Sequence, residues 1–167
     1  AVKHGLHVFC EKPFARNVEE AAKVVEATEN AGVIHMMGNQ MRALPERIIA
    51  RKAIADGLIG EPRFMSFVQH VNLVADPEAQ RPDWWFDKAE GGGWLGASGS
   101  HLIDQVRSWL GDFKSLSAAT PMLSDRQGVA EDSFDMRCTL ANGVEGVISQ
   151  TGGSWGPHAM MARVMGT

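Results

Sequence analysis

Two short apolar segments joined by a well-capped helix near the start of the chain constrain its fold more than any other feature. The segments span residues 6–10 and 33–37, and each has the length of a buried strand. Between them, Asn17 suits a helix N-cap, Glu20 completes a capping box, and Gly32 suits the C′ position. Strand, helix and strand with tight connections form a βαβ unit, so we predict parallel neighbouring strands with a right-handed crossover.

The pattern changes further along the chain. Pro45 fits the first turn of a helix whose apolar stripe is Ile48, Ile49, Ala53 and Ile54. Apolar residues at helical spacing predict a third helix over 100–111, and Asn142-Gly143 is a strong hairpin signal. Alternating apolar and polar residues predict strands over residues 63–74, 114–123, 132–141, 144–151 and 158–165.

These elements predict an α/β chain with two parts. Residues 1–43 form the end of a parallel βαβ domain. Residues 44–167 form an α+β domain with an open, mostly antiparallel sheet that is incomplete at its C-terminus. Because the first residues contain neither Met nor a signal-peptide pattern, we expect the chain to begin inside a longer protein.

Composition argues against several classes of protein. The 167 residues include 16 Lys+Arg and 20 Asp+Glu, and the formal net charge of −4 argues against a nucleic-acid-binding protein. The apolar stretches are too short to span a bilayer, and no set of His, Cys, Asp and Glu has convincing metal-site spacing. Two cysteines are too few for a disulfide framework, so we predict a cytoplasmic protein without a metal.

The segment Glu11-Lys12-Pro13 follows the first predicted strand directly. In open parallel sheets ligands bind beyond the carboxyl ends of the strands, which places Lys12 where a ligand would lie. Pro13 restricts Lys12 to extended geometry and permits a cis bond. A solvated charge pair at a strand end explains the same residues, so position alone leaves both interpretations open.

The glycines Gly91, Gly93 and Gly96 match the G-x-G-x-x-G spacing of dinucleotide-binding loops. That loop requires a buried strand immediately before it, and residues 86–90 (Phe-Asp-Lys-Ala-Glu) do not form one. We therefore reject a phosphate-binding role and predict that the glycines let the backbone turn tightly into the following helix.

Further candidates lie in and after the long polar loop over residues 75–93. His101 opens the predicted helix 100–111 with Asp104 on the same side, and a neutral imidazole there suits a general base near pH 7. A histidine that only caps the helix is the alternative. Trp84 and Trp85 suit the wall of a pocket for a flat ligand, or simply anchor the loop.

Several motifs in order resemble those of the Gfo/Idh/MocA oxidoreductases, the relatives of glucose–fructose oxidoreductase and inositol dehydrogenase. His7 to Pro13 resembles the family's Glu-Lys-Pro signature, and Gly38-Asn39-Gln40-x-Arg42 resembles the segment after its last Rossmann strand. Residues 91–104 resemble its Gly-Gly-Gly…Gly-x-His-x-x-Asp block, and residues 164–167 resemble its Val-x-Gly-Thr strand.

The resemblance implies the end of an NAD- or NADP-binding Rossmann domain followed by a substrate and oligomerisation domain. It implies a dehydrogenase of a sugar, polyol or related hydroxy compound, with Lys12 and His101 as catalytic residues. The implied cofactor-binding residues are Glu11, Lys12, Pro13, Gln40 and Trp84. The implied substrate-binding residues are Arg42, Asp104 and His101.

The chain also departs from the family pattern. About 85–100 further residues, including the true glycine loop, would precede Ala1 on this interpretation. Ala97 stands where the family often has Asp, and Trp85 stands where a Trp-Arg pair would place Arg. A ligand-sensing module without turnover and an NAD-assisted glycosidase therefore remain alternatives. The mixed apolar and polar outer face of the predicted sheet favours a homodimer or homotetramer.

Overall fold

A computed structural model describes residues 1–128 and 130–167. The chain begins with strand β1 (Val8–Glu11), helix α1 (Val18–Asn30) and strand β2 (His35–Gly38). β1 and β2 pair in parallel, with Val8 opposite His35. This arrangement confirms the βαβ unit that the capped helix and the two apolar segments predict.

The two ends of α1 follow the expected capping rules in part. The Asn17 side chain accepts the backbone N–H of Glu20 at 2.9 Å, and Gly32 has a left-handed φ of 62° just beyond the helix. The reciprocal half of the capping box differs from the prediction. The Glu20 carboxylate accepts the backbone N–H of Arg16 at 3.1 Å, because the Arg16 guanidinium holds it beside that residue.

The second part contains two longer helices and five strands. The helices are α2 (Pro45–Ala55) and α3 (Ser100–Leu110). The strands are β3 (Pro62–His70), β4 (Phe113–Ala119), β5 (Ser133–Leu140), β6 (Glu145–Thr151) and β7 (Ala159–Gly166). Short 3-10 helices span Val2–His4, Gln40–Ala43, Asp83–Phe86 and Lys88–Glu90, and one π-helical turn spans Leu95–Gly99.

The five strands form one sheet in the order β4-β5-β6-β3-β7. Every neighbouring pair is antiparallel except β3 and β6, which run parallel. The hairpin between β5 and β6 turns at Asn142-Gly143, where Gly143 has a φ of 88°. The mixed, mostly antiparallel sheet confirms the predicted α/β fold class. The predicted strand over 63–74 is shorter than expected, because the chain leaves the sheet after His70.

Helix α3 covers one face of this sheet and completes the core. Its Leu102, Val106 and Leu110 pack against apolar side chains of β3, β5 and β6. Burial of each such side chain stabilises the fold by roughly 1.5–3 kcal/mol. The strand residues of this core include Met65, Phe67, Phe134, Met136, Cys138, Leu140 and Ile148.

Helix α2 contributes less to the core than its sequence pattern predicts. Ile54 packs against the core cluster, but Ile48 and Ile49 are 44% and 68% exposed. Two residues of the apolar stripe therefore face solvent, and α2 packs against the core cluster through Ile54. None of the helices in the described part of the chain has the length and apolar character needed to cross a bilayer.

Candidate active site

The carboxyl ends of β1 and β2 place two polar residues at the same edge of their sheet. Lys12 follows the last residue of β1, and Asn39 follows the last residue of β2. Strands in a parallel pair end at a common edge, so both residues emerge on one side. The start of α3 lies opposite this edge, and the peptide bond between Lys12 and Pro13 is cis.

Lys12 reaches across to the second part of the chain. Its Nζ donates a hydrogen bond to the backbone carbonyl of Ala97. Burial lowers the pKa of Lys12 below its ordinary value, and the charge of Glu11 opposes that effect. The backbone at position 97 thus supplies the acceptor, so the absence of a carboxylate there does not leave Lys12 without a partner. This hydrogen bond joins two of the four sequence motifs that carry the family resemblance, His7 to Pro13 and residues 91–104.

His101 is buried in the first turn of α3, with 8% of its surface exposed. Its Nδ1 lies 2.7 Å from Oδ1 of Asn39. Burial and the positive charges of Lys12 and Arg47 lower the pKa of His101 to about 4, against the opposing charges of Glu11 and Asp104. The imidazole is therefore neutral near pH 7, as a general base must be.

Arg42 and Asp104 form an ion pair beside His101. Nε of Arg42 donates to Oδ2 of Asp104 at 3.0 Å, and a second bond joins the same two groups. The Asp104 side chain is only 13% exposed. Nδ1 of His101 makes its contact with Asn39, and the carboxylate of Asp104 pairs with Arg42 instead.

Sequence reasoning missed Asn39 as a partner of His101. The two residues are 62 positions apart, and no spacing rule links them. The available signal was positional, since a polar residue directly after β2 had to emerge at the same edge as Lys12.

The other predicted cofactor residues lie at the rim of this region. Gln40 is exposed at the start of the 3-10 turn that follows Asn39. Trp84 packs edge-on against Trp85 with 6.2 Å between ring centroids, and Trp85 packs against Trp94 at 5.9 Å. Trp85 is therefore an anchor of the long loop. In the described part of the chain no hydrogen bond joins Gln40 or Trp84 to Lys12 or His101.

The glycine run is filled with backbone rather than open to a ligand. A Cβ on Gly92 would overlap the carbonyl oxygens of Trp84 and Asp87, and one on Gly96 would overlap that of Gly91. The N–H of Gly93 donates to the carbonyl of Trp85 at 2.8 Å. These glycines therefore serve close packing of the backbone before α3.

A cleft of about 300 Å³ opens between the sheet edge and α3. Lys12 and Asn39 line it from the sheet side, and Ser100 and Asp104 line it from the helix side. Among residues 1–128 and 130–167, no group of three His, Cys, Asp or Glu side chains comes together as a metal site requires. Imidazole and ammonium groups such as those of His101 and Lys12 are suited to proton transfer and to electrostatic stabilisation.

Comparison with family models places this arrangement in a known class. The model described as the GFO/IDH/MocA C-terminal domain matches residues 48–167. The model described as the oxidoreductase family, NAD-binding Rossmann fold, matches residues 1–39. The chain belongs to the GFO/IDH/MocA oxidoreductase family.

Individual relatives agree with this assignment. Levoglucosan dehydrogenase of Pseudarthrobacter phenanthrenivorans is 35% identical over 121 residues, which is 71% of this chain and 30% of that protein. D-xylose dehydrogenase of Paenarthrobacter nicotinovorans is 29% identical over 170 residues, covering 93% of this chain and 43% of that protein. The 2,7-anhydro-N-acetylneuraminate hydratase of Escherichia coli is 36% identical over 112 residues, covering 67% of this chain and 29% of that protein.

Solved structures match the whole chain. A levoglucosan dehydrogenase in complex with NADH and levoglucosan superposes with a TM-score of 0.89 at 28% identity, covering 100% of this chain and 47% of that one. The chain thus spans about half the length of that structure and less than half of the curated relatives named above.

Proposed function

We propose that the full-length protein is an NAD(P)-dependent oxidoreductase that transfers a hydride between a nicotinamide cofactor and a sugar, polyol or related hydroxy compound. The observation that carries this proposal is geometric: at the carboxyl edge of a parallel strand pair, Lys12 donates to the carbonyl of Ala97 and buried His101 contacts Asn39. Family membership and the dehydrogenases among the relatives support it.

The residues at the strand edge fit the nicotinamide end of such a cofactor. The cleft there is open, whereas the glycine run is closed by backbone. Glu11, Lys12 and Pro13 would hold the cofactor from β1, with Gln40 and Trp84 at the rim. When bound, the nicotinamide supplies the hydride acceptor or donor.

The chain's own residues manage the proton and the developing charge. The free imidazole nitrogen of His101 takes the hydroxyl proton as the O–H and C–H bonds of the carbinol break and the carbonyl forms. The ammonium of Lys12 stabilises the alkoxide that develops on that oxygen. Arg42 and Asp104 are proposed to bind substrate as a pair, since Asp104 lines the cleft.

Replacement of Lys12 tests this proposal. Lys12→Met keeps the aliphatic packing but removes the charge, and kcat/KM should fall by about 10²–10³-fold. The matched control is Lys3→Met at an exposed position, which should leave the rate unchanged. Steady-state reduction of NAD or NADP with a panel of sugars and polyols measures both. A loss below fivefold for Lys12→Met would refute its catalytic role.

One relative favours a second candidate function. The hydratase of Escherichia coli is named for a reaction without net oxidation, and a glycosidase that uses NAD transiently would share this property. Product analysis discriminates these activities from a dehydrogenase, because cofactor would not accumulate in reduced form. A ligand-sensing module would bind the sugar and produce no product at all.

We also propose a cytoplasmic homodimer or homotetramer, with a domain boundary near residue 43. The sheet face away from α3 presents half-buried Phe64, Val68 and Val147 beside exposed Arg137. Such mixed faces suit subunit interfaces, which are only about 56–58% non-polar. Sedimentation of the full-length protein should show an assembly that Val68→Arg dissociates and that Val18→Arg, on the exposed side of α1, leaves intact. A monomer at micromolar concentration would contradict this.

A further inference from the structure

We propose that Asn39 is a positioning residue that fixes the tautomer of His101, so that Nδ1 carries the proton and Nε2 offers its lone pair to the cleft. This inference rests on the proposed function, because it assigns the orientation of the general base in that reaction.

The proposal rests on a short contact between the side chains of Asn39 and His101. Oδ1 of Asn39 lies 2.7 Å from Nδ1 of His101. The Asn39 backbone is itself held, since its N–H donates to the carbonyl of Met37 and its carbonyl accepts the N–H of Arg42, each at 3.0 Å. An amide oxygen only accepts, so the ring nitrogen facing it must bear the hydrogen.

The second ring nitrogen is available. Nε2 of His101 forms no hydrogen bond with any described residue. It is also not one of the fully buried polar atoms that have no hydrogen-bond partner. It therefore keeps some exposed surface, although the residue as a whole is buried, and its neighbours Asn39 and Ser100 line the cleft. A neutral ring has a single N–H. If Asn39 receives that N–H, Nε2 must be the proton acceptor.

The surrounding charges explain why an amide rather than a carboxylate does this work. Lys12 and Arg47 act on the ring with positive charge, and Glu11 and Asp104 act with negative charge. The carboxylate of Asp104 is committed to Arg42. A carboxylate at Nδ1 would favour the protonated ring, whereas the neutral oxygen of Asn39 orients the ring without adding charge. Asn39 thus sets the orientation of the His101 ring, whereas the surrounding charged residues set its protonation state.

The first test uses the tautomer itself and needs no turnover. The ¹⁵N chemical shifts of the His101 ring are measured in the full-length protein at pH 7, with His101→Gln for assignment. We expect a protonated Nδ1 and an unprotonated Nε2. In Asn39→Leu the Nε2–H form should appear. A predominant Nε2–H tautomer in the natural protein would overturn the proposal, whatever the enzyme's activity.

The second test uses the pH dependence of the rate. Asn39→Leu should lower kcat/KM by about 10²-fold, as expected for a misplaced catalytic group. Asn39→Asp should move the acid limb of the kcat/KM profile to higher pH, a shift that a merely structural role would not produce. Asn30→Leu, at an exposed end of α1, should change neither. An unmoved limb in Asn39→Asp, or less than a twofold loss in Asn39→Leu, would count against positioning.

These experiments can refute the proposed function and the role of Asn39 independently of each other. If no sugar or polyol supports cofactor reduction by the natural protein, the proposed function fails, and the ring shifts still decide the tautomer. If the natural protein is active but His101 carries its proton on Nε2, only the role of Asn39 fails.

Discussion

Within the 167 residues of this chain, the βαβ unit and the sheet domain bury their apolar side chains to different extents. In the βαβ unit, Phe9, Ile34 and Met36 are 67%, 70% and 64% exposed. A gap of about 250 Å³ separates α1 from β1 and β2. In the sheet domain, Phe67 and Phe134 are 1% and 0% exposed.

The difference follows from the type of sheet. Strands of a parallel sheet are apolar on both faces because helices cover both faces. Two strands and one helix cannot provide two covering layers, so the apolar side chains of β1 and β2 remain exposed in this chain. The mixed sheet needs only one covered face, and α3 provides it. The pattern of apolar residues in a strand therefore indicates the type of sheet better than it indicates how deeply the strand is buried in this chain.

Matched phenylalanine substitutions should show this contrast most strongly. Phe134→Ala should reduce the free energy of unfolding of the 167-residue chain by about 3–5 kcal/mol, because it leaves a cavity in a closed core. Phe9→Ala should change it by less than about 0.5 kcal/mol, as at most surface positions. Urea titrations followed by circular dichroism and tryptophan fluorescence measure both. Equal losses would mean that the βαβ unit buries Phe9 as firmly as the sheet domain buries Phe134.

The elements that the sequence predicted well are those set by local rules. Asn17 and Gly32 bound α1, Pro45 opens α2, and Asn142-Gly143 turns the hairpin, each through interactions within a few residues. β3 and β6 have one covered face each and alternate apolar and polar residues as antiparallel strands do, so their periodicity did not reveal that they pair in parallel.

The site was predictable only in part for a related reason. Lys12 and His101 stand in recognisable motifs; the structure places Lys12 on the cleft and His101 against Asn39, which also lines it. The sequence did not reveal the hydrogen-bond partners of these two residues. The acceptor for Lys12 is the backbone carbonyl of Ala97, a group that every residue possesses. The partner of His101 is Asn39, which only the sheet edge brings into range.

A smaller effect, which involves residues of both parts of the chain, should appear in the acid stability of the chain. The ordinary pKa of histidine is 6.5, and burial with the charges of Lys12 and Arg47 lowers that of His101 to about 4 in the fold. Between these values the unfolded chain binds a proton that the folded chain does not. The stability that depends on the neutral ring is therefore complete above pH 6.5 and falls as the pH drops towards 4.

The expected loss between pH 7 and pH 5 is about 2 kcal/mol, because each pH unit below 6.5 contributes up to about 1.4 kcal/mol. Urea titrations at the two pH values measure it. His101→Gln should remove this pH dependence, since glutamine does not titrate. His35→Gln, at an exposed position in β2 of the βαβ unit, should retain it.

Asp132 does not interfere with this measurement. Burial alone would raise its pKa, but hydrogen bonds from Ser124, Leu123 and Ser133 lower it below 3.8. If the His101→Gln variant loses stability as steeply as the natural chain, the acid sensitivity belongs to other groups and His101 is not held neutral by its surroundings.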